Sequence, residues 1–260
     1  MQTADPLLVQ PRSALNNLHE HAFMRALGRD GAAIIGDVYP DVHTMTPARP
    51  FRDDEIYSRA CLIAAGELVV ICDQLEYALS LLSGYSKRAT RFGELITRSD
   101  YIAYQIENLY LRTTSVTDRA LILSNEVLRL GLTRDRCRWS AIIRHVRVES
   151  SPVLHGLNAI GDAIEPSRST RNVVAHHERY SDEQLSEIEM FSLLEKSDNS
   201  EGRGLLDQIS GGFRIRANQY VALRRSELAP EVDQIRIAVV ALMDVLLPEY
   251  EAELASLRAG

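Results

Sequence analysis

The chain has 260 residues, 45% hydrophobic and 25% charged, the balance of a soluble globular protein with enough apolar side chain for a sizeable core. A formal net charge of −7 argues against nonspecific nucleic-acid binding over the whole surface. The longest apolar stretch, Cys61 to Cys72, is interrupted by Glu67 and too short to span a bilayer, and Met1 to Gln10 has no basic start followed by an apolar run. A cytoplasmic location with no membrane contact is therefore expected.

Only 14 glycines and 9 prolines are present, mostly between apolar-periodic segments, which predicts an all-α chain of long antiparallel helices packed as a bundle. A first helix is expected over residues 11–28, ending near Gly28 and Gly31. Residues 38–52, with Pro40, Pro47 and Pro50, form a connection. Asp53 and Asp54 then start a long helix whose apolar positions run from Ile56 to Leu82, stopping at Gly84. Glu67 interrupts its apolar face and reads as a paired or partly wet interhelical residue, with pointing into a site the less common alternative.

A second long helix is predicted from Ile96 to Leu130, with a bend at Thr113-Thr114-Ser115 and closure at Gly131. Thr133 can cap an arginine-rich helix over residues 134–148, and Pro152 opens another to Ile164. Glu165-Pro166-Ser167 makes a turn. Ser181 can cap an amphipathic helix to Lys196, residues 197–212 read as a loop or lid, and Phe213 to Leu228 is helical. Pro230 starts a final helix that ends near Leu257. The expected division is 1–52 as an N-terminal helix and connection, and 53–260 as one helical domain. Cys61, Cys72 and Cys137 have no metal or redox spacing and read as reduced packing residues.

Charge is uneven along this acidic chain. Between Arg129 and Tyr180, nine arginines stand against five acids, and Arg134, Arg138, Arg144, Arg168 and Arg179 are candidate RNA contacts. Inside that stretch lies Arg171-Asn172-Val173-Val174-Ala175-His176, an arginine, a polar residue and a histidine that together can do acid/base chemistry on a phosphodiester without a metal. The spacing alone is common: Arg12 to His19 and Arg138 to His145 fit it loosely as well. Asn172 beside the arginine, a second histidine at His177 and the helical setting set Arg171 apart. His177 also satisfies the spacing, yet neighbours on a helix point about 100° apart, so only one ring faces a given phosphate.

Long antiparallel helices and a short downstream helix carrying Arg-polar-x-x-x-His resemble the HEPN superfamily over roughly residues 53–257. The segment Tyr101 to Leu132, with Asn108, Tyr110, Arg112, Asp118, Arg119, Asn125 and Glu126, is most similar to its Cthe2314-like bacterial branch. The resemblance implies a homodimeric, metal-independent endoribonuclease, a toxin or phage-defence effector with an antitoxin or defence-system partner. It also implies that two motifs meet at the subunit interface. Arg171, Asn172 and His176 match the family's catalytic positions. Asp118, Asn125 and Glu126 are candidate supporting residues, and His177 an alternate. One branch of the superfamily carries a tyrosine two residues after the histidine; here Glu178 holds that place and Tyr180 follows two later.

Helical geometry supports a composite site independently. Positions five apart diverge by roughly 140°, so Arg171 and His176 of one chain do not converge on one atom, whereas two motifs across a twofold axis can. Ser167, Ser169 or Thr170 is expected to cap the helix, its amides adding positive potential. The expected reaction is attack of an RNA 2′-hydroxyl on the adjacent phosphate, with tRNA a candidate substrate. No cofactor or metal is required, because adjacent His176-His177-Glu178 lacks the spacing of helical metal ligands. The competing expectation is a noncatalytic helical adaptor that binds RNA, a nucleotide or a partner protein.

Overall fold

A computed structural model of the protein describes residues 17–41, 43–44, 46–85, 96–176, 179–196 and 203–260. Every regular element among the described residues is helical: α1 (Ala22–Val38), α2 (Asp53–Leu81), α3 (Arg98–Val127), α4 (Trp139–Ile143), α5 (Val146–Glu149), α6 (Val153–Ile164), α7 (Arg168–His176), α8 (Glu183–Lys196) and α9 (Arg203–Ala259). Short 3₁₀ turns occupy Leu18–Glu20, Arg134–Arg136 and Glu165–Ser167. The all-α reading therefore holds.

The chain folds as two compact units. The first takes the residues up to Val70, Val116–Gly161 and Ile235–Gly260. The second takes Ile71–Ser115 and Asp162–Gln234. Within each, α2 runs antiparallel to α3. In the first unit the Tyr57 hydroxyl donates to the Val127 carbonyl at 2.9 Å, and Glu67, a paired interhelical residue, meets Arg119 at 3.2 Å and Arg134. In the second, the Tyr101 hydroxyl donates to the Leu81 carbonyl at 2.7 Å, and Arg112 bonds Gln74.

The core of the first unit centres on Tyr250. Its ring stacks on Tyr57 at 5.6 Å and meets the edge of Phe23 at 6.0 Å, while its buried hydroxyl donates to Asp30 at 2.9 Å and lies 2.9 Å from the Ser58 hydroxyl. Burying such a ring is favourable only because its polar end is satisfied. Cys61, Cys72 and Cys137 are buried thiols, as their apolar settings predicted.

Several boundaries differ from the sequence reading, each for an identifiable reason. Residues 11–16 lie outside the described residues, and the first α-helix runs from Ala22 through both Gly28 and Gly31 to Val38. Gly31 is a contact glycine: a Cβ there would sit 2.7 Å from Leu62 Cδ2. Helix α3 continues through Thr113-Thr114-Ser115, whose hydroxyls bond back to the Tyr110 and Leu111 carbonyls. It ends at Val127, and Arg129 closes it in place of Gly131: Arg129 takes φ 48°, and Leu130 N–H returns to the Asn125 carbonyl at 3.0 Å in a Schellman-type closure.

The arginine-rich helix expected over 134–148 is broken into a 3₁₀ turn and two short helices. Its buried anchors Cys137, Ile142 and Val148 are spaced by five and six residues, which no single helical face provides. Of the expected loop at 197–212, residues 197–202 lie outside the described residues and 203–212 are helical. Together with the two helices predicted downstream they form one 57-residue helix, α9, that passes through Pro230 and Pro248. Proline removes one backbone donor from a helix interior, and the flanking buried Leu228, Val232, Leu246 and Tyr250 hold the helix across both positions.

Candidate functional site

Helix α7 carries the motif, and it is fastened on both sides to other parts of the second unit. Upstream, the chain enters α7 directly from the Glu165–Ser167 turn, with Arg168 already in helical conformation. The buried Ser167 hydroxyl donates to Glu231 on α9 at 2.6 Å, so it anchors the helix instead of capping it, correcting the capping expectation for that residue.

Downstream, the Tyr180 amide donates to Glu107 of α3 at 2.7 Å, and Arg179 pairs with Asp100 at 2.9 Å and Glu189 at 2.7 Å. Asp182, not Ser181, caps α8. Its Oδ1 accepts the Leu185 amide at 2.8 Å, while Oδ2 accepts the Tyr180 hydroxyl at 3.0 Å, the Tyr220 hydroxyl at 2.6 Å and Arg224 Nη2 at 2.8 Å. Burial opposes the charge on Asp182, but hydrogen bonds from Tyr220, the Leu185 amide and Tyr180, together with Arg224, outweigh it and hold the carboxyl below its ordinary range.

The tyrosines of this cluster respond in the opposite sense. Burial pushes the Tyr180 hydroxyl up to about 12 and raises Tyr110 and Tyr220 as well, so all three act as hydrogen-bonding groups and not as ionised bases near neutral pH. The Tyr110 and Tyr180 rings lie 6.0 Å apart. Nothing in the local sequence of α9 announced that Tyr220, Arg224 and Glu231 would reach the motif segment, because those contacts span 38 to 64 residues. The capping potential of Asp182, three residues before Leu185, was the one local signal.

On α7 itself, Arg171 is half-buried and donates through Nη1 to Asn172 Oδ1 at 3.1 Å; its Nε is buried with no hydrogen-bond partner. Among the described residues no carboxylate pairs with Arg171, whereas Arg168 is held by Glu165 at 2.9 Å and Arg179 by two acids. A guanidinium with unused donors and no carboxylate partner among the described residues is suited to an anionic ligand. Asn172 is exposed, as is Val173 at 48%. The backbone of His176 ends the helix one turn after Asn172, and His177 lies outside the described residues.

In the regular helix over Arg168–His176, positions 171 and 176 are separated by roughly 140° around the axis.

The other expected site residues are distributed between the units. Arg134, Arg138 and Arg144 belong to the first unit with Asp118, Asn125 and Glu126; Arg168 and Arg179 belong to the second with the motif. Asn125 is a buried clamp: its amide accepts the Leu132 N–H at 3.0 Å, donates to the Leu132 carbonyl at 3.1 Å and reaches Glu126 at 3.1 Å. Arg138 and Arg144 are exposed, and Arg134 is tied to Glu67. The loose alternative motif ends at His145, whose Nδ1 accepts the Arg147 amide to cap α5. Among the described residues no group of three or more His, Cys, Asp and Glu side chains is arranged to hold a metal ion, and no helix is long and apolar enough to cross a membrane.

The model of the Cthe2314-like HEPN family matches residues 73–210, just over half of the chain and the whole of α7. The chain belongs to the Cthe2314-like HEPN family. Comparison with curated proteins and with solved structures gave no match. Membership places this HEPN chain among domains with nucleotide- and RNA-related functions. The matched segment contains Arg171, Asn172 and His176 and most of the residues that fasten α7: Glu107, Tyr110, Ser167, Tyr180 and Asp182. The α9 partners Tyr220, Arg224 and Glu231 fall beyond it.

Proposed function

We propose that this HEPN protein is a metal-independent endoribonuclease of the cytoplasm that cuts RNA at a composite site formed by two copies of α7 in a homodimer, acting as a toxin or phage-defence effector. The observation that carries the reading is Arg171, a half-buried arginine inside the HEPN match that has no carboxylate partner among the described residues and a buried, unpartnered Nε. Arginines kept for structure are normally paired with acids, as Arg168, Arg179 and Arg224 are here.

In the proposed reaction the RNA 2′-hydroxyl attacks the adjacent phosphorus. The P–O5′ bond breaks, leaving a 2′,3′-cyclic phosphate and a 5′-hydroxyl. His176 of one protomer takes the 2′-hydroxyl proton or supplies one to the leaving oxygen, a contribution of roughly a hundredfold to ten-thousandfold. Arg171 of the partner copy binds the nonbridging oxygens, where charge develops, through two charge-assisted hydrogen bonds. Asn172, already bonded to Arg171, orients the guanidinium. The helix-face separation of positions 171 and 176 favours this division of labour between protomers.

The test is incubation of the purified protein with total RNA and defined tRNA in EDTA, beside Arg171→Ala and His176→Ala proteins of unchanged circular dichroism. Cleavage by wild type alone, with cyclic-phosphate ends and none on DNA, is the expected result. Equal cutting by all three proteins places the activity elsewhere, and RNA binding without cutting turns the reading to a noncatalytic adaptor.

A further inference from the structure

The second unit contains another arginine with no carboxylate partner among the described residues, at the start of α3. Arg98 opens α3, where the positive end of the helix dipole makes a cation unfavourable, yet no carboxylate pairs with it among the described residues. Its guanidinium bonds the neutral Asn218 of α9, and its Nε is buried without a partner. The nearby acid Asp100 is already committed to Arg179 and to the Thr97 hydroxyl. Burial lowers the Arg98 pKa, Tyr85 opposes that shift, and the charge of Arg214, one turn before Asn218, adds to it. Arg214 is exposed, and Arg225 donates to the Ser83 hydroxyl at 3.0 Å, where α2 ends. Arg98 thus bonds a residue of α9 that lies between Arg214 and Arg225, and among the described residues no carboxylate pairs with any of the three arginines.

Aromatic rings lie near the start of α3. Tyr85, two residues after Ser83, lies 5.6 Å from Tyr101, itself three residues after Arg98, and one turn further Tyr104 is 63% exposed. Guanidinium groups beside accessible rings are the combination that holds single strands, phosphates on the arginines and bases on the ring faces. We propose that the corner formed by the end of α2, the start of α3 and Arg214 to Arg225 of α9 is a docking surface for the phosphodiester backbone of single-stranded RNA. It deepens the proposed function, for it supplies the protein with a grip on its substrate that is separate from Arg171.

The probe is a short fluorescent 2′-O-methyl RNA, which the proposed 2′-hydroxyl chemistry cannot cut, so binding is read apart from cleavage. Anisotropy is followed between roughly 50 and 200 mM salt for full-length wild type, for Arg98→Gln with Arg214→Gln, and for a charge-matched control of Arg25→Gln with Arg29→Gln on α1. The patch variant is expected to bind several-fold more weakly, with a log–log salt slope shallower by about 1.4, since each single-strand phosphate contact contributes about 0.7. Because Arg98 is partly packed, Arg214→Gln with Arg225→Gln repeats the measurement with α3 untouched. Equal losses in patch and control variants, or no RNA binding by wild type, overturn the docking surface. Displacement of the RNA by ATP with equal loss of ATP binding in the patch variant reassigns the site to a free nucleotide. Weakened binding in a protein that never cuts natural RNA keeps this surface and removes the nuclease reading instead.

Discussion

The Tyr220 hydroxyl donates a 2.6 Å hydrogen bond to Oδ2 of Asp182, the same oxygen that Tyr180 and Arg224 use. One carboxylate therefore joins α9 to the segment that follows α7 and caps α8. Asp182→Asn removes the charge that Arg224, Tyr180 and Tyr220 share, leaves Arg224 with Glu227 alone among the described acids, and is expected to cost about 1–3 kcal/mol at neutral pH. The folded pKa of Asp182 is depressed below its unfolded value of about 3.9, so its contribution is complete above that pH and is lost as pH falls through the lower folded value. Urea unfolding of wild type and variant at pH 7 and at pH 3 checks both magnitude and sign: the gap narrows in acid.

Glu55 provides a larger acid-sensitive contribution in the first unit. Its carboxylate, almost wholly buried, receives two bonds from Arg49 at 2.7 and 2.8 Å and the Arg52 amide at 2.8 Å; the Arg49 bonds, against burial, lower it to about 2. Glu55→Gln is expected to destabilise at neutral pH and to lose that effect between about 4.3, the unfolded value, and 2. Thermal melts across that window measure it.

Arg171→Lys separates charge from geometry. Lysine keeps the cation but not the planar fork, so RNA cleavage is expected to stay close to that of Arg171→Ala. Neither change should move the melting midpoint by much, since no ion pair of Arg171 is lost among the described residues. A large fall in stability with either variant would assign Arg171 to the framework.

Two glycines predict opposite signs. A Cβ on Gly156 of α6 would lie 3.0 Å from Leu242 Cα of α9, and Gly156→Ala is expected to cost about 1–3 kcal/mol by forcing the helices apart. Gly36, exposed within α1, has nothing within 4 Å of that position, and Gly36→Ala is expected to stabilise by about 0.4–1 kcal/mol. Calorimetry on the pair checks that the two midpoints move in opposite directions.

Much of this molecule was legible in one dimension. Asp53 and Asp54 marked the start of α2, and apolar spacing placed α3 to within a few residues at each end and set the all-α class, because a helix face must repeat every three to four residues to be buried. The motif also stood out locally, through Asn172 beside Arg171 and a helix that does reach His176. Local signals misled where long-range packing overrode them: Gly31 reads as a stop but serves contact with Leu62, and Pro230 reads as a start but lies inside α9. What only the tertiary structure decided is which charges are already satisfied. Arg168, Arg171 and Arg179 look alike in sequence, yet acids claim the first and third and leave Arg171 with Asn172. The anchoring of α7 by Glu231, Tyr220 and Arg224, like the bond of Arg98 to Asn218, joins residues 38 to 120 positions apart. Such pairings depend on how helices pack across the fold, which no periodicity along the chain encodes.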